Sequence, residues 1–110
     1  MGIGYLSALG YRATLDALVV AFCKDYFDRK KAIQSATCTK RTRMEYEYLN
    51  ERISTAAMEV VGRDYEIYIR EIGDGRGYAR SAVIDVSESS YKRLKREVKI
   101  NIAKKLHLMD

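Results

Sequence analysis

The stretch of sequence that decides the fold is residues 86–106, VSESSYKRLKREVKINIAKKL. It contains neither glycine nor proline, and its apolar residues recur at the three- and four-residue steps of one helix face: Tyr91, Leu94, Val98 and Ile102. Ser87 is placed to cap this helix, because a serine hydroxyl accepts a hydrogen bond from the first free backbone N–H groups. The sequence therefore predicts a helix over residues 88–106.

The side of this predicted helix opposite the apolar face is basic, with five cations: Lys92, Arg93, Lys95, Arg96 and Lys99. Residues 76–105 contain nine Lys and Arg against three Asp and Glu, so the chain's net charge of +5 lies almost wholly in this region. Positive charge concentrated on one helix is typical of a protein that binds nucleic-acid phosphates.

Two helices are predicted upstream, because the chain has no proline and its glycines leave residues 11–61 uninterrupted. A first helix has one apolar stripe: Leu15, Leu18, Val19, Phe22 and Tyr26. Polar residues 29–43 predict a connection. A capping box, Thr42 with Glu45, predicts the start of the second helix. Its apolar face is Tyr46, Leu49, Ile53, Ala56, Ala57 and Val60, and Gly62 follows as a left-handed C-cap.

The C-terminal half is predicted to be a helix-turn-helix. Asp64 caps a short helix that the glycine-rich run 73–77 ends. A supporting helix then closes at Ile84, and the basic helix follows as the one that enters the DNA major groove. The predicted fold is all-α, with a helical pair in residues 1–62, for dimerisation or partner docking, followed in residues 63–110 by the helix-turn-helix and its long basic last helix.

This interpretation assigns ten DNA-binding residues. Backbone N–H groups and cations near the start of the supporting helix hold phosphate, which assigns phosphate contacts to Arg76, Tyr78 and Arg80, with Lys99 on the last helix. The first turns of the basic helix are expected to lie at or beside the base edges: Ser87, Glu88, Ser89, Lys92, Arg93 and Arg96.

Residues 86–98 and 101–106 resemble the C-terminus of phage transcriptional regulators of the ArpU/RinA type. Those regulators have a Val-Ser-x-Ser-Thr-Tyr-like start, a basic helix and a Leu-Ala-x-x-Leu-like end, and they are similar to the promoter-reading C-terminal region of sigma factors. The resemblance extends over residues 64–108 and implies an all-α DNA-binding regulator of phage or prophage late genes. The sequence departs from helix-turn-helix patterns at Asp85, where turns favour glycine, and at Ser81, where alanine is favoured.

An enzyme is not expected from this composition. The 110 residues predict one domain, and the single histidine, His107, has no serine or cysteine nucleophile as a partner. Pairs of carboxylates arise by chance on any charged helix. Cys23 and Cys38 match no zinc spacing, so neither a metal nor another cofactor is predicted.

The protein is expected to be cytoplasmic, with no membrane contact. Arg12 and Asp16 interrupt the apolar N-terminal run, which argues against both a signal peptide and a transmembrane helix. Two cysteines in 110 residues favour reduced thiols.

Duplex DNA is the predicted partner, and the alternatives belong to a different class of protein. A helical phage structural or adaptor protein, such as a terminase small subunit, would also use a helix-turn-helix. If residues 14–61 form a homodimer interface, the protein would read two half-sites about one helical turn apart. If they dock on RNA polymerase or another protein, one copy would suffice.

Overall fold

A computed structural model describes residues 11–110, and these residues form helices and no β-strand. The α-helices are α1 (Ala13–Lys24), α2 (Tyr26–Ile33), α3 (Lys40–Val61), α4 (Tyr65–Asp74) and α5 (Glu88–Lys105), with 3-10 turns at Gly62–Asp64 and Tyr78–Arg80. The all-α prediction is confirmed for this part of the chain. None of these helices combines the length and the apolar character that crossing a membrane requires.

One apolar core holds the helices together. α3 packs along α5, α1 packs against α4, and α4 also contacts α3. The core contains fully buried side chains from each of these helices: Leu15, Val19, Ile53, Tyr68, Ile69, Tyr91 and Ile102. Residues on both sides of position 62 therefore contribute to the same core.

The first predicted helix is two helices that meet at Asp25. Arg29 is buried just after this junction, and its guanidinium donates to the Phe22 carbonyl and to Asn50 Oδ1, both at 2.7 Å. The Asn50 amide in turn donates to the Tyr26 carbonyl at 3.0 Å. These hydrogen bonds tie the junction of α1 and α2 to the middle of α3, and they satisfy a buried cation without a carboxylate partner.

The prediction that Thr42 caps α3 is wrong by three residues. The N-cap is Thr39, whose hydroxyl accepts from the Thr42 N–H at 3.2 Å. Helix α2 continues to Ile33, so the connection is shorter than the predicted 29–43. At the other end of α3, Gly62 has a positive φ of 61°, but its ψ of −132° lies outside the left-handed helical region predicted for this C-cap.

The short helix α4 extends past the first glycine of the run 73–77 and ends at Gly75, whose φ is +67°. The predicted supporting helix over residues 78–84 is wrong, because a single 3-10 turn is followed there by extended chain. The Ser81 hydroxyl and the Ala82 N–H both donate to Glu71 on α4. The backbone is therefore held by a carboxylate from another element instead of by a helical carbonyl.

The predicted cap of the last helix is confirmed. Ser87 Oγ accepts from the Ser90 N–H at 3.2 Å, and α5 begins at the next residue, Glu88. We expect Ser87→Ala to lower the free energy of unfolding by about 1 kcal/mol, because one N–H of the first turn loses its acceptor. Urea denaturation measures this change. The control is Ser89→Ala, an exposed neighbour that does not cap; an equal loss in both variants would contradict the capping role.

Candidate nucleic-acid interface

The exposed face of α5 carries three of the predicted DNA-binding cations in the first half of the helix. The side chains of Lys92 and Arg93 are 68% and 61% exposed, and Arg96 and Ser89 are exposed as well. The opposite face of α5 is anchored in the core, with Tyr91 almost completely buried. The helix therefore presents one fixed face to solvent, on which these cations lie beside the carboxylates of Glu88 and Glu97.

Two of these cations form ion pairs within the helix. Lys92 Nζ lies 2.9 Å from Glu88 Oε2, and Arg93 Nη1 lies 3.1 Å from Glu97 Oε2. Exposed pairs of this kind contribute at most about 1 kcal/mol each. A phosphate can therefore compete for either cation.

Helix α1 lies against one flank of this face. The Arg96 guanidinium is 5.5 Å from the centre of the Tyr11 ring, a cation–π arrangement. Lys99 is directed away from the basic face, because its Nζ pairs with Asp16 Oδ1 at 3.0 Å and its side chain is only 21% exposed. Asp16 also accepts from the Tyr11 hydroxyl at 2.9 Å. Burial alone would raise the pKa of Asp16, but these two hydrogen bonds outweigh it and hold the pKa below its usual value.

Arg76 is engaged by acidic and basic neighbours. Its guanidinium lies 3.0 Å from Asp74 Oδ2 and 4.0 Å from Glu71 Oε2. Its carbonyl accepts from Lys95 Nζ at 2.6 Å, and burial lowers the pKa of that lysine. Much of the charge predicted to hold phosphate at Arg76 is therefore balanced within the protein.

The 3-10 turn beside α5 carries the other two predicted phosphate contacts. The Tyr78 hydroxyl is already used, since it donates to the Val86 carbonyl at 2.8 Å. Arg80 is exposed and forms no ion pair with any residue from 11 to 110. Of the residues predicted before the last helix, Arg80 is the one whose side chain is available to a phosphate.

Glu71 organises the segment between α4 and α5, and the sequence analysis did not single it out. This carboxylate is 1% exposed and accepts from Ser81 Oγ at 2.6 Å, the Ala82 N–H at 2.6 Å and the Tyr91 hydroxyl at 2.8 Å. Burial alone would raise the pKa of Glu71, but these hydrogen bonds and nearby Arg76 hold it below its usual value. The signal in the sequence is a carboxylate on the apolar face of a short helix.

The turn that leads into α5 has a left-handed residue. Asp85 has a φ of 64°, a conformation that aspartate tolerates better than most residues. This is the position where the sequence departs from the glycine that helix-turn-helix turns favour. The neighbouring Ile84 is 77% exposed, so this apolar side chain lies beside the start of α5 without packing in the core.

Residues 11–110 show neither a metal site nor a reactive thiol at Cys23. Residues 11–110 contain no group of three His, Cys, Asp or Glu side chains that could hold a metal ion. Cys23 is buried, and burial raises the pKa of its thiol to about 12, which leaves it protonated at neutral pH. Among the described residues, the exposed face of α5 with its cluster of cations is therefore the strongest candidate for a binding site.

Comparison with known proteins adds no relative: no family model, no curated protein and no solved structure matches this chain.

Proposed function

We propose that the protein binds duplex DNA through the exposed face of α5 and acts as a transcriptional regulator of phage or prophage type. The observation that carries this proposal is the position of Lys92, Arg93 and Arg96, which lie exposed together in the first half of a helix whose other face is buried. A rigid helix with long cationic side chains on one face suits the width and charge of the major groove.

The turn before α5 supports a helix-turn-helix mode of docking. The left-handed Asp85 and the cap at Ser87 give the chain a sharp, fixed entry into the helix, although the preceding segment is a 3-10 turn and not a full helix. Hydrogen bonds from Tyr78 to Val86 and around Glu71 hold this segment in place. DNA would therefore meet a preorganised surface.

The proposed roles of the individual residues follow from their positions on the exposed surface. Arg80 on the turn and Arg96 on the flank beside α1 hold phosphates, while Ser89, Lys92 and Arg93 lie toward the base edges. Glu88 and Glu97 pair with two of these cations, Lys92 and Arg93, until phosphate or base acceptors replace them. The protein catalyses no reaction in this scheme; bound to its operator, it recruits or excludes the transcription machinery.

A salt-dependent titration tests the proposal. We expect wild-type protein to bind labelled duplex DNA with a slope of log affinity against log salt of roughly −4 to −5, if four to six phosphates are contacted. The variant Lys92→Ala/Arg93→Ala/Arg96→Ala should bind much more weakly, and its slope should be smaller by about 1, because Arg96 is the one proposed phosphate contact among the three and each lost phosphate contact removes about 0.9. Fluorescence anisotropy at several salt concentrations measures both quantities.

The matched control removes the same charge from other surfaces. Lys24, Lys31 and Arg41 are exposed on α1, α2 and α3, so Lys24→Ala/Lys31→Ala/Arg41→Ala has the net charge of the test variant. We expect this control to keep most of the affinity and the slope, with helix content of all proteins verified by circular dichroism. Equal losses of affinity in both variants would show that binding depends on the net charge of the protein and not on the face of α5. A wild-type protein that does not bind duplex DNA would refute the proposal.

A further inference from the structure

The side of α3 that faces away from the core carries a row of side chains spaced like the seam of a coiled coil. The steps between them are four, three, four and three residues: Met44, Tyr48, Glu51, Thr55 and Met58. Three of these side chains are apolar or aromatic and substantially exposed, at 61% for Met44, 48% for Tyr48 and 45% for Met58. The buried residues of α3, such as Ile53 and Ala57, lie on the opposite side of the helix.

We propose that this row, the α3 seam, binds the α3 seam of a second copy of the chain in antiparallel orientation, so that the protein self-associates as a twofold dimer. A twofold interface uses the same patch on both subunits, so the patch must be complementary to itself. The distribution of charge along α3 meets that requirement for one orientation and one register.

The orientation follows from Glu51, the acidic residue in the middle of the seam. In a parallel pair, Glu51 would face Glu51 of the partner subunit, which is repulsive. In the antiparallel register whose centre lies between positions 49 and 50, Glu51 lies opposite Tyr48 of the partner subunit, whose hydroxyl can donate to the carboxylate. Met44 then lies opposite Thr55 of the partner subunit, and Met58 lies at the end of the interface, opposite position 41. Antiparallel helix dipoles favour the same orientation.

The register follows from two charged residues beside the seam, Glu45 and Arg52. In this antiparallel register, Arg52 lies beside Glu45 of the partner subunit, and symmetry makes this contact twice. Sliding the partner by one heptad would bring Arg52 beside Arg52 of the partner subunit. Both side chains are available, since Glu45 has only an exposed 3.4 Å contact with Arg41, and Arg52 rests 4.9 Å from the centre of the Tyr48 ring.

Charge reversal tests both the contact and the register. A single helix pair gives a small interface of the transient class, so sedimentation velocity is measured over a micromolar concentration series without DNA. We expect a concentration-dependent dimer that Arg52→Glu and Glu45→Arg each weaken roughly tenfold, because each reversal makes two attractive contacts repulsive. The double variant Glu45→Arg/Arg52→Glu restores the opposite charges and should restore wild-type association.

Two further variants separate the seam from general surface hydrophobicity. Met44→Lys should weaken the dimer, whereas Leu18→Lys, at a 39% exposed apolar position on α1, should leave it unchanged. A monomer at every concentration would overturn the proposal, and so would a double charge reversal that fails to restore the dimer. Because DNA is absent, these results do not depend on whether α5 binds DNA.

Discussion

Replacing Glu71 with alanine is expected to lower the free energy of unfolding by about 3 kcal/mol. The carboxylate is buried and accepts from the Ser81 hydroxyl, the Ala82 N–H and the Tyr91 hydroxyl. Its removal leaves the Ser81 hydroxyl and the Ala82 N–H without their acceptor, while the Tyr91 hydroxyl keeps a contact of 3.3 Å with the Arg76 carbonyl. Each buried, unsatisfied donor costs about 1–3 kcal/mol. Urea denaturation measures the loss. Glu47→Ala, at an exposed position on α3, is the control and should change stability by less than about 0.5 kcal/mol.

The contribution of Glu71 should also depend on pH in a definite direction. Its pKa in the folded protein is below the ordinary value of 4.5. A depressed pKa gives stability that is fully present above the unfolded pKa and is lost as the pH falls through the folded pKa. The stability difference between wild type and Glu71→Gln should therefore shrink below about pH 4.5. A stability difference that stays constant or grows on acidification would contradict an ionised Glu71 with a lowered pKa in the folded protein.

Replacing Gly73 with alanine is expected to lower the free energy of unfolding by about 2 kcal/mol. A Cβ at this position of α4 would lie 2.8 Å from both the Cα and the backbone nitrogen of Lys24 on α1. Backbone atoms cannot rotate away as a side-chain end can, so the helices must separate at their contact, and overpacking of this kind costs roughly 1–3 kcal/mol. The better helix propensity of alanine offsets only part of this cost.

The control for this effect is Gly77→Ala. A Cβ at position 77 would meet no atom of residues 11–110 within 4 Å, and the φ of −90° suits any residue, so the stability of this variant should match that of wild type or exceed it slightly. Thermal and urea unfolding distinguish the two variants. Similar stability of Gly73→Ala and wild type would mean that α1 and α4 do not pack closely at this point.

The sequence predicted best where neighbouring residues carry the information. The cap at Ser87 and the burial of Tyr91, Val98 and Ile102 depend on residues three to four positions apart in one helix, and the structure has them as predicted. The cap of α3 was misplaced because Thr39 and Thr42 are both good capping residues, and only the path of the chain from α2 selects between them.

The candidate interface could be predicted only in part. Lys92, Arg93 and Arg96 are exposed as expected, since they lie opposite the apolar stripe of α5. Lys99 also lies outside that stripe, but α1 packs beside it and its Nζ forms an ion pair with Asp16. The residue pattern of 86–106 does not indicate where Asp16 lies in the fold. The sequence of α5 alone therefore could not distinguish Lys99 from the other cations.

By itself, the sequence determined that residues 11–110 are mainly helical and that the last helix has an apolar face, because helix periodicity and capping act over a few residues. Tertiary structure alone decided the rest. It gave residues 78–86 a 3-10 turn and extended chain instead of a helix, because Glu71 supplies hydrogen-bond acceptors that compete with the helical carbonyls. It also placed Gly73 of α4 against the backbone of Lys24 on α1, because only folding brings these two distant residues together.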